Sequence, residues 1–370
     1  MYQQFANVKK NFGFGCMRLP MQGDAVDYEE TCRMVDAFLD NGFNYFDTAH
    51  GYLGGKSEIA LRECLTSRYP REAYILTNKL SGHFITTADD IRPFFQQQLE
   101  ACGVDYFDFY LMHAQDKNSF LRYKELRAYE ISLELLQEGK IRHFGISFHD
   151  TADVLEQILT EYPQIEVVQL QFNYVDYEDL SVQSRKCYEV CRKYGKPVIV
   201  MEPVKGGCLV NLPEAAQKIF DELNGGSNAS YAIRFAAGFE GIGMVLSGMS
   251  NLEQMRDNLS FMKEFRPLDQ REQEAVAKVR TILHSMGTIP CTACRYCTEV
   301  CPTGIAIPDL FACMNNRKLF NSGVRISYYP VYTQKAKPSD CVNCGQCEAI
   351  CPQKLPIRQL LADVVKEFET

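Results

Sequence analysis

Eight short apolar segments, each followed by a stretch of helical periodicity, limit this fold more than any other feature. The apolar segments fall at 13–17, 44–49, 74–79, 107–113, 143–147, 167–172, 198–202 and 243–247. The helical patterns between and after them fall at 28–40, 57–65, 88–102, 123–138, 152–162, 180–194, 230–237 and 251–262. In 28–40, Met34, Val35, Phe38 and Leu39 form one helical face, and Asn41-Gly42 tolerate the left-handed conformation that ends a helix. Ser57 is expected to cap the helix that follows. Apolar strands alternating with helices pair in parallel through helical crossovers. Eight such units spread over ~250 residues suit a closed (β/α)8 TIM barrel better than an open sheet. No GxGxxG follows a strand, which argues against a Rossmann fold.

The rest of the chain differs in kind. With 370 residues the length allows two domains. Residues 268–286 are charged and helix-prone, with Ala275, Val276, Val279 and Leu283 on one side. Beyond Ile289-Pro290 the composition turns to cysteine, proline and short apolar pairs. The expected organisation is a barrel over 1–265, a linker helix over 266–288 and a small second domain over 289–370.

Sixteen cysteines set the character of that second domain. Eight fall in two runs of C-x2-C-x2-C-x3-C-P, namely Cys291, Cys294, Cys297 and Cys301, then Cys341, Cys344, Cys347 and Cys351. Zinc usually takes separated pairs of cysteines, without a third cysteine and a trailing Cys-Pro. Three thiolates two residues apart instead wrap one corner of a cubane, and the displaced fourth reaches a second cluster. The pattern resembles the bacterial two-cluster ferredoxins. That resemblance implies a small α+β ferredoxin-like domain with two 4Fe-4S clusters. One would be held by Cys291, Cys294, Cys297 and Cys351, the other by Cys341, Cys344, Cys347 and Cys301. Leu310-Phe311 and 328–332, in the long segment between the runs, are expected to dock on the barrel. The remaining cysteines (Cys16, Cys32, Cys64, Cys102, Cys187, Cys191, Cys208 and Cys313) read as buried thiols of a reducing compartment.

A net charge of -8 argues against nucleic acid or an anionic membrane as partner, since both would repel it. No apolar run reaches the ~18 residues of a membrane span, and MYQQFANVKK lacks the apolar core of a signal peptide. A cytoplasmic location is the expectation.

The chemistry is expected where strands end, because barrel side chains at the C-terminal strand ends point into the active site. FDTAHGY, at 46–52, places Asp47 and Tyr52 at such an end; TNKL supplies Lys79 and FDFYLMHA supplies His113. Singly, Asp47 reads better as a loop cap, His113 as a core histidine and Lys79 as a surface lysine, because a match of one residue is weak. Together and in order they resemble the tetrad of the aldo-keto reductases, a resemblance that covers about residues 10–262. It implies carbonyl and alcohol interconversion with a nicotinamide cofactor. A free phenol has a pKa near ~10 and must be tuned to act as an acid near neutrality. The resemblance makes Tyr52 the acid, Lys79 its tuner, Asp47 the partner of the lysine, and His113 the group that orients the carbonyl.

The same resemblance sets Ser147 and Gln169 at the nicotinamide carboxamide. It sets Gly15, Cys16 and Met17, with Lys205, Gly206 and Gly207, near the pyrophosphate, and Gly248, Gln254 and Asn258 at the adenosine end. Two departures matter. Phe148 follows Ser147 where the family often has asparagine, and 248–250 with Gln254 lack the basic residues that usually grip a 2'-phosphate. NADH and NADPH therefore both stay open. Arg18, in MRLP, is expected at the barrel mouth, as an anion contact or a surface arginine.

The expected function is an iron-sulfur oxidoreductase of aldo-keto reductase type acting on a small carbonyl or alcohol. A ferredoxin or flavoprotein would exchange electrons with the clusters. A nicotinamide moves two electrons as hydride and a cluster moves one, so a flavin would join them naturally. The sequence carries no identifiable flavin fingerprint, although barrels bind flavin phosphate without one. The alternative is an electron-transfer or redox-sensing protein in which the barrel is a docking or binding module.

Overall fold

The computed structural model describes residues 2–370 apart from Ser181, Asn224, Thr292, Cys294, 321–323 and Pro352. Two compact units emerge. The first comprises Met1–Asn173, Ser184–Pro203 and Ala229–Leu268; the second comprises Tyr174–Gln183, Val204–Asn228 and Asp269–Thr370.

In the first unit eight parallel strands close on themselves. They are β1 (Phe12–Gly15), β2 (Tyr45–Asp47), β3 (Ile75–Leu80), β4 (Phe107–Gln115), β5 (Ile141–Phe148), β6 (Val167–Gln171), β7 (Val198–Met201) and β8 (Ile242–Ser247). Each pairs with its neighbours in chain order, and β1 closes the ring between β8 and β2. The strands are nearly uniform apolar runs, as expected of parallel strands covered on both faces. At the N-terminal end Phe5 and Val8 pack with Tyr45, Ile75, Phe109, Val167, Ile199 and Met244, stopping the barrel with side chains. Phe5 fits because β8 carries Gly243 there: a Cβ at that position would stand 2.6 Å from the Phe5 ring.

Most helices follow the apolar periodicity. Tyr28–Asp40 forms as read, with Asp27 accepting from the Glu30 N–H as its N-cap. The helix expected over 123–138 is two, Lys117–Glu125 and Ala128–Gln137, broken where Arg127 takes φ 53°. Ser57 does not cap its helix, which starts at Lys56 behind Gly55 in the left-handed region. Its hydroxyl is instead buried, 2.8 Å from both Thr48 Oγ1 and Cys16 O. A two-stranded hairpin, Met21–Gln22 with Ala25–Val26, had no signal in the strand pattern.

The second unit contains the charged helix Gln270–Ser285, begun by a capping box between Asp269 and Glu272, and the cysteine-rich segment. Its described elements from 289 onward are helices and loops. Ile305, Ile307, Leu310, Phe311, Leu355, Ile357, Leu361 and Val364 form its core, so Leu310 and Phe311 are spent within this unit. The two cysteine runs are built alike. Short helices Tyr296–Glu299 and Gln346–Ile350 pack on each other, as do the longer Ile307–Phe320 and Ile357–Phe368. Positive φ recurs at matching positions: Ala293 and Asn343, Arg295 and Gly345, Gly304 and Lys354. Among the described residues no helix is long and apolar enough to cross a membrane.

Candidate functional site

The C-terminal end of the barrel gathers the four expected catalytic side chains. Asp47 is the last residue of β2 and is aligned with Gly15 of β1 and Thr77 of β3. Lys79 stands two residues further along β3, on a strand buried throughout. Its ammonium donates to Asp47 Oδ1 at 2.6 Å and to Thr48 O at 2.8 Å. Tyr52 returns over this pair because the chain turns at 49–52, where Tyr52 N donates to Ala49 O, and continues through Leu53, Gly54 and Gly55, all at positive φ. Lys79 Nζ then lies 4.9 Å from the Tyr52 ring centroid. His113 sits in an irregularity of β4, where the register with β5 shifts between Met112 and Gln115 and Ala114 takes φ 53°. Irregularities at a barrel rim re-aim side chains. Here the His113 ring meets Tyr52 edge-on, with centroids 5.9 Å apart.

Burial opposes both charges of the ion pair. For Asp47 burial prevails, and the carboxyl is raised although Lys79 and Gln169 pull it down. For Lys79 burial is outweighed by the charges of Asp47 and Tyr52 and by hydrogen bonds to both, so its pKa is raised. The direction that governs the chemistry is that of Lys79, which stays an ammonium. His113 is pushed well below the ordinary imidazole value by burial, with Lys79, His149 and His83 adding repulsion, and is neutral near pH 7.

Several supporting groups carry no sequence signal. Glu58, fully buried, accepts from Asn78 Nδ2 at 2.7 Å and from Gln98 Nε2 at 3.3 Å, and pairs with His50 Nδ1 at 2.7 Å. Asn78 Oδ1 accepts the Lys79 N–H at 2.8 Å, while Gln98 Nε2 donates to Lys79 O at 3.0 Å. The backbone of Lys79 is thus fixed on both sides by a satisfied polar network. Ser81 Oγ lies 2.6 Å from His113 Nδ1. Only pairs near in sequence reveal such contacts in advance, and these span up to 40 residues.

The expected cofactor contacts divide. Ser147 and Gln169 are buried neighbours on β5 and β6, in register. Gln169 Nε2 donates to Asp47 Oδ2 at 3.2 Å, so it ties this carboxylate from the side opposite Lys79. Gly15 runs against Ser247 and Gly248, leaving ordinary van der Waals space for an added Cβ. Cys16 is buried, and burial with the nearby Asp47 charge pushes its thiol up, so it is inert. Met17 and Arg18 are half-buried, Arg18 Nη1 lying 3.6 Å from a Cβ placed on Gly248. Asn258 is used within the protein, donating to Ser247 Oγ at 2.8 Å, and Gln254 Oε1 accepts the Ser250 N–H at 2.8 Å. Lys205, Gly206 and Gly207 belong to the second unit, where Lys205 Nζ pairs with Asp176 Oδ1 at 2.5 Å.

The cysteines collect around two cavities. Cys291, Cys297 and Cys351 line one, with Ile307, Phe311 and Leu355. Cys301, Cys341, Cys344 and Cys347 line the other, with Ile305, Leu361 and Arg358. Cys294 lies outside the described residues. Each cavity therefore takes a cysteine from the opposite run. The thiols surround a space and do not meet at a point; among the described residues no three His, Cys, Asp or Glu side chains form a single-ion site. For Cys301, burial opposes ionisation, but the Thr303 hydroxyl and the N–H groups of Ile305, Thr303 and Gly304 hold the thiol below its ordinary value. A thiolate fed by backbone donors inside an apolar wall suits a cluster ligand.

Comparison with known proteins agrees with this geometry. The aldo/keto reductase family matches residues 11–281, and a 4Fe-4S dicluster domain matches 290–355. L-galactose dehydrogenase of Arabidopsis thaliana is 26% identical over 299 residues, covering 75% of this chain and 91% of that protein. NADH-specific methylglyoxal reductase of Escherichia coli (strain K12) is 26% identical over 195 residues, 47% of this chain and 57% of that protein. The holo form of an aldo-keto reductase from Bacillus halodurans superposes with a TM-score of 0.58 at 25% identity, covering 73% of this chain and 91% of that one. An aldo-keto reductase from Klebsiella pneumoniae in complex with NADPH shares the fold, with a TM-score of 0.59 at 17% identity over 73% of this chain and 90% of that one. Strand order, tetrad and family match lead to one conclusion: the chain belongs to the aldo/keto reductase family and carries a C-terminal 4Fe-4S dicluster domain.

Proposed function

We propose that the barrel interconverts a small carbonyl compound and its alcohol, with Tyr52 as the proton donor and acceptor. The observation that carries this reading is Lys79, an ammonium buried in the barrel mouth, bonded to Asp47 and 4.9 Å from the Tyr52 ring. An ammonium beside a phenol favours the phenolate, so Tyr52 releases its proton more readily than a free phenol does. Asp47, anchored by Gln169, keeps the ammonium in place. His113, neutral and at the ring edge, offers a hydrogen bond to the carbonyl oxygen without adding a second positive charge.

A nicotinamide, as NADH or NADPH, supplies the hydride to the carbonyl carbon when bound and takes it back in the reverse direction. Ser147, Gly15, Cys16, Met17, Gly248, Gln254 and Asn258 would hold it. In reduction Tyr52 gives its proton to the oxygen and regains one from solvent, so each turnover takes up one hydride and one proton. The relatives named for methylglyoxal and L-galactose support a small oxygenated substrate.

The second unit is read as an electron carrier. Cys291, Cys294, Cys297 and Cys351 would hold one 4Fe-4S cluster, and Cys301, Cys341, Cys344 and Cys347 the other. A ferredoxin or flavoprotein is the proposed partner, with a flavin as the group that would split an electron pair between hydride and clusters. The proposed domain limits are 1–265, 266–288 and 289–370. Anaerobic turnover of small aldehydes and ketones with NADH and NADPH tests the reading, alongside optical and EPR titration of the clusters. Turnover abolished in Tyr52→Phe with the cluster absorption intact supports it. Undiminished turnover in that variant contradicts it.

A further inference from the structure

Immediately after the end of β3, the structure holds a contact that the tetrad alone does not explain. Ser81 is buried at 1% exposure, and its hydroxyl lies 2.6 Å from His113 Nδ1. Lys79 and Ser81 alternate with Leu80, so both turn inward from the same end of β3. The two backbones are pinned together behind this contact. The Tyr123 hydroxyl is 2.7 Å from Leu80 O and 3.2 Å from His113 O, and Gly82 leaves it room, since a Cβ there would stand 2.9 Å from the hydroxyl.

The direction of the Ser81 hydrogen bond follows from counting donors. A hydroxyl has one proton, and a buried hydroxyl without an acceptor is costly. Among the described residues the Ser81 side chain has no hydrogen-bond partner other than His113. If the Nδ1–H donated to Ser81, the serine proton would be left without an acceptor. If Ser81 donates to Nδ1, its proton is placed, and the ring carries its own proton on Nε2. Among the described residues Nε2 has no hydrogen-bond partner. It is therefore a donor left available on a ring whose centroid is 5.9 Å from that of Tyr52.

We propose that Ser81 is a positioning residue: by donating to His113 Nδ1 it holds the ring in its Nε2–H form and presents that N–H, beside the Tyr52 phenol, to the oxygen of the substrate. The reading rests on the carbonyl chemistry proposed above for its purpose, but not for its geometry. The depressed pKa of His113 agrees with it, because a ring that stays neutral has one donor to place, and the serine decides where.

The test is nitrogen NMR of the oxidised, full-length protein labelled at histidine, near pH 7, with His113 assigned by substitution. The proposal expects Nε2–H in the natural protein, a mixture of both tautomers in Ser81→Ala, and recovery of Nε2–H in Ser81→Thr. It also expects kcat for carbonyl reduction about tenfold lower in Ser81→Ala, recovered in Ser81→Thr, a loss of the size of one hydrogen bond. A ring protonated on Nδ1 in the natural protein overturns the proposal before any variant is made. An unchanged tautomer in Ser81→Ala overturns it as well, whatever the rate. If the tautomer shifts but the natural protein turns over no carbonyl with either nicotinamide, the positioning role stands and the carbonyl reading fails.

Discussion

The barrel mouth and the cluster cavities solve the same problem, holding reactive side chains in fixed relation, by opposite routes. The mouth draws Asp47, Lys79, His113 and Gln169 from β2, β3, β4 and β6, on rigid strands. It locks them with long-range hydrogen bonds such as Gln169 to Asp47. The cavities draw on two contiguous cysteine runs whose backbone bends through the left-handed region at Ala293, Arg295, Asn343 and Gly345. One site is pre-organised by a buried polar network, the other by local backbone conformation. A strand-borne site should fail by losing chemistry or by exposing an unpaired charge. A loop-borne site should fail by losing its metal while the rest of the protein persists.

The largest expected effect is on the strand side. Tyr52→Phe removes the proton donor and should lower carbonyl turnover by about 10²–10⁴-fold, the usual worth of a positioned acid, without changing iron content. Rates and iron assay on the same sample check this. Lys79→Met comes next. It strands the Asp47 carboxylate, 3% exposed, without its cation, and should cost about 3–5 kcal/mol in urea unfolding. The double variant with Asp47→Asn should recover much of that loss, since it removes the unpaired charge. If it recovers nothing, the pair is not the unit described.

On the loop side, the crossing of cysteines between runs can be broken directly. Cys301→Ser with Cys347→Ser disturbs one cavity and should leave one cluster's worth of iron and sulfide. Cys301→Ser with Cys297→Ser disturbs both cavities and should lose both clusters. The reverse, with both clusters lost in the first variant and one in the second, would show that each run holds its own cluster.

A pH dependence sharpens the barrel side. The folded pKa of His113 is depressed from the ordinary 6.5, so below that value the unfolded chain binds a proton that the folded chain refuses. Stability contributed by the neutral ring is therefore present above 6.5 and declines as the pH falls from there toward the folded value. His113→Gln should flatten this part of the profile, measured as urea midpoints at about pH 7.5 and about pH 5.5. The smallest effect concerns backbone strain. Ala293→Gly removes a Cβ from a residue at φ 52° and should stabilise the second unit by about 1 kcal/mol. Gly345→Ala, at φ 76°, should cost a similar amount.

The same contrast explains what the sequence disclosed. The cysteine pattern is legible because its members lie within two short runs, and spacing is a local quantity. The tetrad is legible because each member ends or follows an apolar strand. The helix at Tyr28–Asp40 is legible from its apolar face and from the Asn41-Gly42 pair that ends it, whereas its Asp27 cap went unread. Ser57 was misread because a serine ahead of a helical pattern signals a cap, whereas tertiary packing uses its hydroxyl against Thr48 and Cys16. The break at Arg127 carries no glycine or proline to announce it. Glu58, Asn78, Gln98 and Ser81 could not be read, because polar residues inside an apolar pattern declare a need for partners without naming them. The pairing of the Lys205 ammonium with Asp176 likewise had no signal in the sequence.

The measurement that tests the central claim most directly is the fate of a labelled hydride. The protein is supplied anaerobically with nicotinamide carrying deuterium at the transferable position, and with an aldehyde that it reduces. The account predicts one deuterium on the carbonyl carbon of the alcohol, lost together with turnover in Tyr52→Phe. An alcohol formed at full rate without deuterium at that carbon would contradict it, since the hydrogen on the carbon would then have come from solvent and not directly from the nicotinamide.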